Sequence, residues 1–322
     1  MTNKLTKLAL TAALGLASTL TLSCGEHGWE EVFGFSSNSE EEDYSPSSSS
    51  LRQSGDSHPG VVVAPLLKTK WSQGSPYNDL FPIVDGSRKV TDCVTTAMVQ
   101  IIAFHKYPAR GKGESALVGP GDIPVPLTSL DVAYDWDNML NEYTGKNPGN
   151  EQQRLAVATL MYHFGLARSK GLSGSSTIAP INNFGYDKSL QRLYRKYYSD
   201  AEWEAMIRQQ LDLGLPVWYY GRSVANDDDE NYSTESNHGF VVDGYDNAGK
   251  FHINPGWSGS YNGWYSLNDI DLGKGRRYNY GNIVGINIKP DAGGVPLFAM
   301  ALDSFSIAKT TVTQNEGFIV NA

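Results

Sequence analysis

Val90-Thr91-Asp92-Cys93-Val94-Thr95-Thr96-Ala97-Met98-Val99-Gln100-Ile101-Ile102-Ala103-Phe104-His105-Lys106-Tyr107-Pro108 is the stretch on which the fold turns. Apolar residues at Val94, Ala97, Met98, Ile101 and Ile102 recur at the spacing that carries one face of a helix into a core. Thr91 or Asp92 can cap this helix by accepting an orphan backbone N–H, and Pro108 marks its end because proline disfavours helical geometry in the residue before it. Cys93 therefore sits on the first turn, where the positive end of the helix dipole favours a thiolate and so a nucleophile. Taken alone, a cysteine at such a place is as readily a small buried hydrophobe.

On either side of this helix the chain changes character. Residues 1–24 carry Lys4 and Lys7, an apolar run from Leu8 to Leu22, and then Ser23-Cys24, which reads as an export signal. The run is too short for a stable membrane span. Thr21-Leu22-Ser23-Cys24 resembles a relaxed bacterial lipobox, so Cys24 is the expected lipidation site and an N-terminal lipid anchor the expected membrane contact, with simple secretion as the alternative. Only Cys93 then remains in the mature chain, which leaves it no disulfide partner. Residues 25–60 are rich in Ser, Glu and Gly, and read as a disordered tether too polar to fold as a pro-domain.

The folded region is expected over 61–290. After the Cys93 helix, helical spacing returns over Leu155 to Leu166 and Ser199 to Leu213. The period then changes. Val217 to Tyr220, His238 to Val242, Lys250 to Asn254, Gly263 to Ser266 and Ile283 to Ile288 are short runs bounded by Gly, Asn, Asp and Pro, as in an antiparallel sheet. Helices first and strands later means an α+β fold. Residues 291–322 read as a linker and the start of an appended β domain.

A net charge of −9 and the lack of any concentrated Lys/Arg segment argue against nucleic acid as a partner. The histidines show no paired ligand spacing, so neither a metal nor another cofactor is implied. His105, His163 and His252 read as core histidines. His238 differs: it lies 145 residues after Cys93 and enters a strand through small neighbours, in the Cys-then-distant-His order of a thiol nucleophile and its base. Gln73, 20 residues before Cys93, could help hold an oxyanion, and Asn254, 16 residues after His238, could orient the imidazole. Singly, Gln73 reads as a loop hydrogen bond and Asn254 as a turn residue before Pro255.

Together these residues resemble the streptopain-like cysteine peptidases, a papain-like group. The resemblance is carried by Trp71-Ser72-Gln73 with Pro76-Tyr77-Asn78, by Cys93 with Ala97 to Ile101 and His105 to Pro108, and by Asn183-Phe184-Gly185-Tyr186. His238-Gly239-Phe240-Val241-Val242-Asp243-Gly244-Tyr245 and Phe251-His252-Ile253-Asn254-Pro255-Gly256-Trp257-Ser258-Gly259 complete it. It implies a papain-like α+β fold, with Cys93 as nucleophile, His238 as base and then acid, and Gln73 with the Cys93 N–H as oxyanion hole. It further implies that Ser173-Gly174-Ser175 line the substrate cleft, that Asn237 meets substrate backbone, and that Trp257 shields the catalytic pair from water. Two positions depart from the family pattern: Pro255 stands where a tryptophan is usual beside the histidine, and Asn237 where glycine is usual.

The expectation is an exported, lipid-anchored cysteine endopeptidase whose partners are protein or peptide substrates, with a proteinaceous inhibitor as a further candidate. Two alternatives keep the same residues: an inactive surface binding protein, and a Cys-His amidase acting on a non-peptide substrate. Asp227-Asp228-Asp229-Glu230, just before His238, would favour cationic peptides if it faces the cleft.

Overall fold

The computed structural model describes residues 58–114, 123–168, 178–224, 234–273 and 276–293, with two short strands at 306–307 and 320–321. The leader with Cys24, the tether to residue 57, the loop bearing Ser173, Gly174 and Ser175, and the acidic run 227–230 lie outside the described residues. In chain order the strands are β1 (Val61–Val63), β2 (Ile83–Val84), β3 (Ser87–Arg88), β4 (Gln191–Tyr194), β5 (Val217–Val224), β6 (Thr234–Asp246), β7 (Phe251–Asn254), β8 (Gly263–Tyr265), β9 (Tyr280–Ile286), β10 (Ser306–Ile307) and β11 (Val320–Asn321). The α-helices are α1 (Cys93–His105), α2 (Glu151–Arg168), α3 (Ile178–Phe184) and α4 (Asp200–Asp212).

An antiparallel sheet in the order β4-β9-β5-β6-β7-β8, with β1 added beside β6, is the centre of the fold. Its two faces follow from the two-residue period of the strands. Val217 and Tyr219 of β5 lie opposite Val242 and Phe240 of β6, and these four pack with Trp203, Ile207 and Leu211 of α4. Burying each of those three α4 side chains contributes roughly 1.5–3 kcal/mol. The helix begins where expected because Ser199 caps it, accepting from the Glu202 N–H while the Glu202 side chain returns to the Ser199 N–H.

The other face carries α1, capped by Asp92, which accepts from the Thr95 N–H at 2.9 Å. Its burial exceeds a single apolar stripe. Every residue from Val94 to Ile102 is buried, because the sheet covers one side of the helix and α2 the other. Thr95, Thr96 and Gln100 are thereby carried inside, where their polar groups need partners.

The N-terminal end of the folded region is held to the sheet by two carboxylates of β6. Asp243, fully buried, binds His252 Nδ1 at 2.6 Å and accepts from the Leu67 N–H at 2.9 Å. Asp246 binds His58 Nε2 at 2.6 Å, and the His58 ring stacks on Trp264 at 4.3 Å. His252 is thus a largely buried histidine satisfied by a carboxylate. Three elements escape the pattern reading, α3, β4 and the β2–β3 hairpin, each being only two to seven residues long. The tail residues 306–307 and 320–321 pair antiparallel.

Candidate active site

Cys93 opens α1, and the sheet meets it at Gly239. A Cβ placed on Gly239 would lie 3.0 Å from Val94 Cγ2, 3.1 Å from Val94 Cα and 3.3 Å from Val94 N. Glycine is what lets the helix start touch β6 backbone to backbone. At this contact the backbone N–H groups of Gly239 and Val94 favour the charged form of the Cys93 sulfur. His238, the next residue back along β6, is thereby brought to the Cys93 turn.

The His238 ring is buried among Trp257 (centroids 4.6 Å apart), Tyr278 (5.5 Å) and Phe240 (6.2 Å). Its Nε2 lies 2.8 Å from the carbonyl oxygen of Pro255. A carbonyl only accepts, so Nε2 carries the hydrogen and, in the neutral ring, Nδ1 carries the lone pair. The expected partner, Asn254, is elsewhere. Its Nδ2 donates to the Thr69 carbonyl at 2.8 Å and to Gln100 Oε1 at 3.3 Å, while its Oδ1 accepts from the Gly256 N–H at 3.0 Å. Asn254 shapes the turn from which the Pro255 carbonyl reaches the histidine. A backbone carbonyl performs the orienting, so a tryptophan side chain at 255 is not required for it.

Gln73 is tied to Thr91, two residues before the nucleophile. Its Nε2 donates to the Thr91 carbonyl at 2.7 Å, and its own carbonyl accepts from the Thr91 N–H at 3.1 Å. One amide hydrogen is thus engaged, and the NH2 group has a second. Asn237 is exposed at the mouth of the site, opposite Arg222 on β5. Trp257 covers the histidine, with the Arg276 guanidinium 5.1 Å over its ring.

The electrostatics overturn the thiolate expected from helix position alone. Burial and the adjacent Asp92 charge push the Cys93 thiol up to about 11, although the Gly239 and Val94 N–H groups and the Arg168 guanidinium act in the opposite sense. Burial works to raise Asp92 as well, but Arg168 and Thr95 outweigh it and hold its carboxyl below the ordinary value. Arg168, at the end of α2, forms the ion pair with Asp92. Burial pushes His238 down to about 4, aided by the Arg276 charge and opposed by the Pro255 carbonyl. At neutral pH each group by itself is uncharged.

His163 is also buried, beside Tyr134 Oη at 3.3 Å, and burial likewise pushes it down to about 4. The unfolded chain binds protons at both imidazoles below about pH 6.5, whereas the folded chain does so only near pH 4. Stability is therefore full above the unfolded value and is lost as pH falls through that window, by on the order of 3 kcal/mol per histidine. Urea midpoints should fall steeply from pH 7 to pH 4.5. His163→Gln should flatten the dependence, and an unchanged slope would remove that histidine from it.

A cysteine on the first turn of a buried helix, set against a histidine on an antiparallel sheet, defines the papain-like class of α+β fold. The chain belongs to the peptidase C10 family, which it matches over residues 71–265. Among its relatives, streptopain of Streptococcus pyogenes is 31% identical over 245 residues, covering 66% of this chain and 58% of streptopain. A thiol protease/hemagglutinin of Porphyromonas gingivalis is 30% identical over 257 residues, covering 73% of this chain and 28% of that protein. The active wild-type interpain A cysteine protease of Prevotella intermedia superposes with a TM-score of 0.62 at 30% identity, over 70% of this chain and 94% of that one. This chain spans less than two thirds of the length of streptopain.

Proposed function

We propose that this protein is an exported, lipid-anchored cysteine endopeptidase, tethered through Cys24 and residues 25–60. The observation that carries the catalytic part is the Pro255 carbonyl on His238 Nε2, 2.8 Å away, which leaves Nδ1 as the basic nitrogen of a histidine whose neighbour Gly239 packs on the start of the Cys93 helix. The Cys93 proton passes to Nδ1 as the sulfur attacks the peptide carbonyl carbon. Because neither group is charged at rest, proton transfer and attack are coupled, and the imidazolium forms together with the oxyanion, whose opposite charge offsets its burial. The oxyanion is held by the Cys93 N–H and the second amide hydrogen of Gln73. His238 then protonates the leaving amine, the acyl group remains on sulfur as a thioester, and water activated by Nδ1 releases the acid and restores the thiol. The names of the relatives, streptopain and a cysteine protease among them, support this reading.

A fluorogenic peptide library, paired with labelling by a thiol-reactive epoxide, tests it. Peptide cleavage with stoichiometric labelling, both absent in Cys93→Ala, is the expected result. A folded protein that takes no label and cleaves no peptide would instead be a binding module. Labelling without peptide cleavage would point to amide hydrolysis of another substrate class.

A further inference from the structure

Gln100 is fully buried, seven residues after Cys93 on the same helix, and therefore about two turns along nearly the same face. Its Oε1 accepts from Thr69 Oγ1 at 3.0 Å, from the Trp71 N–H at 3.2 Å and from Asn254 Nδ2 at 3.3 Å. Its Nε2 donates to Asn254 Oδ1 at 3.4 Å. The amide orientations are set by backbone: the Trp71 N–H requires an oxygen on Gln100, and the Thr69 carbonyl and Gly256 N–H require the observed placement of the Asn254 amide. The 254–256 turn lies directly on this helix, since a Cβ on Gly256 would fall 2.9 Å from Thr96 Cγ2. A further backbone bond, from the Ser258 N–H to the Trp71 carbonyl at 3.2 Å, joins the same two segments.

We infer that Gln100 is a positioning residue that sets the Cys93 helix, the extended segment leading to Gln73 and the turn bearing the Pro255 carbonyl in one register. It touches neither substrate nor reacting atoms. Trp71 is two residues from Gln73 and Asn254 is one residue from Pro255, so one amide ties the oxyanion donor and the histidine's acceptor to the helix of the nucleophile. An apolar side chain at 100 would leave the Trp71 N–H, the Thr69 hydroxyl and part of the Asn254 amide unpaired, and the turn would move to satisfy them. Displacements of about 1 Å at such a turn cost on the order of 10²-fold in rate. The inference deepens the peptidase reading and rests on it.

Gln100→Met should lower kcat by about 10²-fold with KM within about threefold, per titrated active site. It should also slow alkylation of Cys93 by iodoacetamide at pH 5–7 by about tenfold while leaving the rate at pH 10 unchanged, because imidazole-assisted ionisation is lost and the thiol is not. Gln100→Glu distinguishes positioning from packing. A neutral carboxylic acid reproduces the acceptor and donor pattern of the amide, so this variant should be active at low pH and lose kcat as the new carboxyl ionises against Asn254 Oδ1. Alkylation needs no peptide substrate, so it decides the matter even if no peptide is cleaved. If Gln100→Met does not fold, Thr69→Val removes one donor to Oε1 and should lower kcat by roughly three- to tenfold. Unchanged kcat and alkylation profiles in whichever of these two variants folds, or a Gln100→Glu pH profile equal to that of the wild type, would overturn the inference.

Discussion

Cys93→Ser and His238→Ala are each expected to lower kcat/KM for peptide cleavage by more than about 10³-fold, with the double variant no worse than either alone. The magnitude follows from the raised pKa of the thiol. With its pKa near 11, only about one sulfur in 10⁴ is ionised at pH 7 unless a base takes the proton during attack. Removing the imidazole removes that base. Alkylation of Cys93 in His238→Ala should then rise continuously with pH toward 11, without the near-neutral plateau that an imidazole-assisted thiol gives. Multiplicative losses in the double variant would mean that the two residues do not act on the same step. A plateau surviving in His238→Ala would assign the base to another group.

Gly239→Val should lower kcat/KM by more than about 10²-fold and destabilise the fold by roughly 1–3 kcal/mol. Gly239→Ala should have a smaller effect of the same kind. The reason is contact with backbone: an added Cβ meets Val94 Cα at 3.1 Å and Val94 N at 3.3 Å, as well as the movable Cγ2 at 3.0 Å. The start of α1, and with it Cys93, must shift away from His238. Trimming the neighbour should therefore not restore activity. Gly239→Val combined with Val94→Ala should remain impaired in kcat even if its melting temperature recovers, and full recovery would show that the clash is with the side chain alone.

The Asp92–Arg168 pair bears on the same reactivity from the other side. Asp92 caps the helix and also places a negative charge next to the nucleophile, where it helps hold the thiol protonated. Arg168 offsets part of that charge. In the proposed mechanism both groups rest uncharged, and the proton moves as a carbonyl is attacked.

Much of this arrangement was already determined by the sequence. The Cys93 helix and the α4 helix are legible because apolar spacing, Asp92 before the first, and Ser199 with Glu202 at the second are local signals that act within one or two turns. The order Gln73, Cys93, His238, Asn254 pointed to thiol chemistry, and all four residues are found around α1 and the sheet strands beside it. The tertiary structure decided what each of them does. Asn254 bonds to Thr69, Gln100 and Gly256 while the Pro255 carbonyl is the acceptor at His238 Nε2, because which atom reaches the imidazole depends on how the 254–256 turn lies on α1. Gln100 offered one readable clue, an amide between Val99 and Ile101 in an apolar run, but its partners are 29 to 154 residues away. The thiol's charge state was out of reach for the same reason. A helix dipole is written in local sequence, whereas the desolvation that outweighs it depends on everything packed around the sulfur.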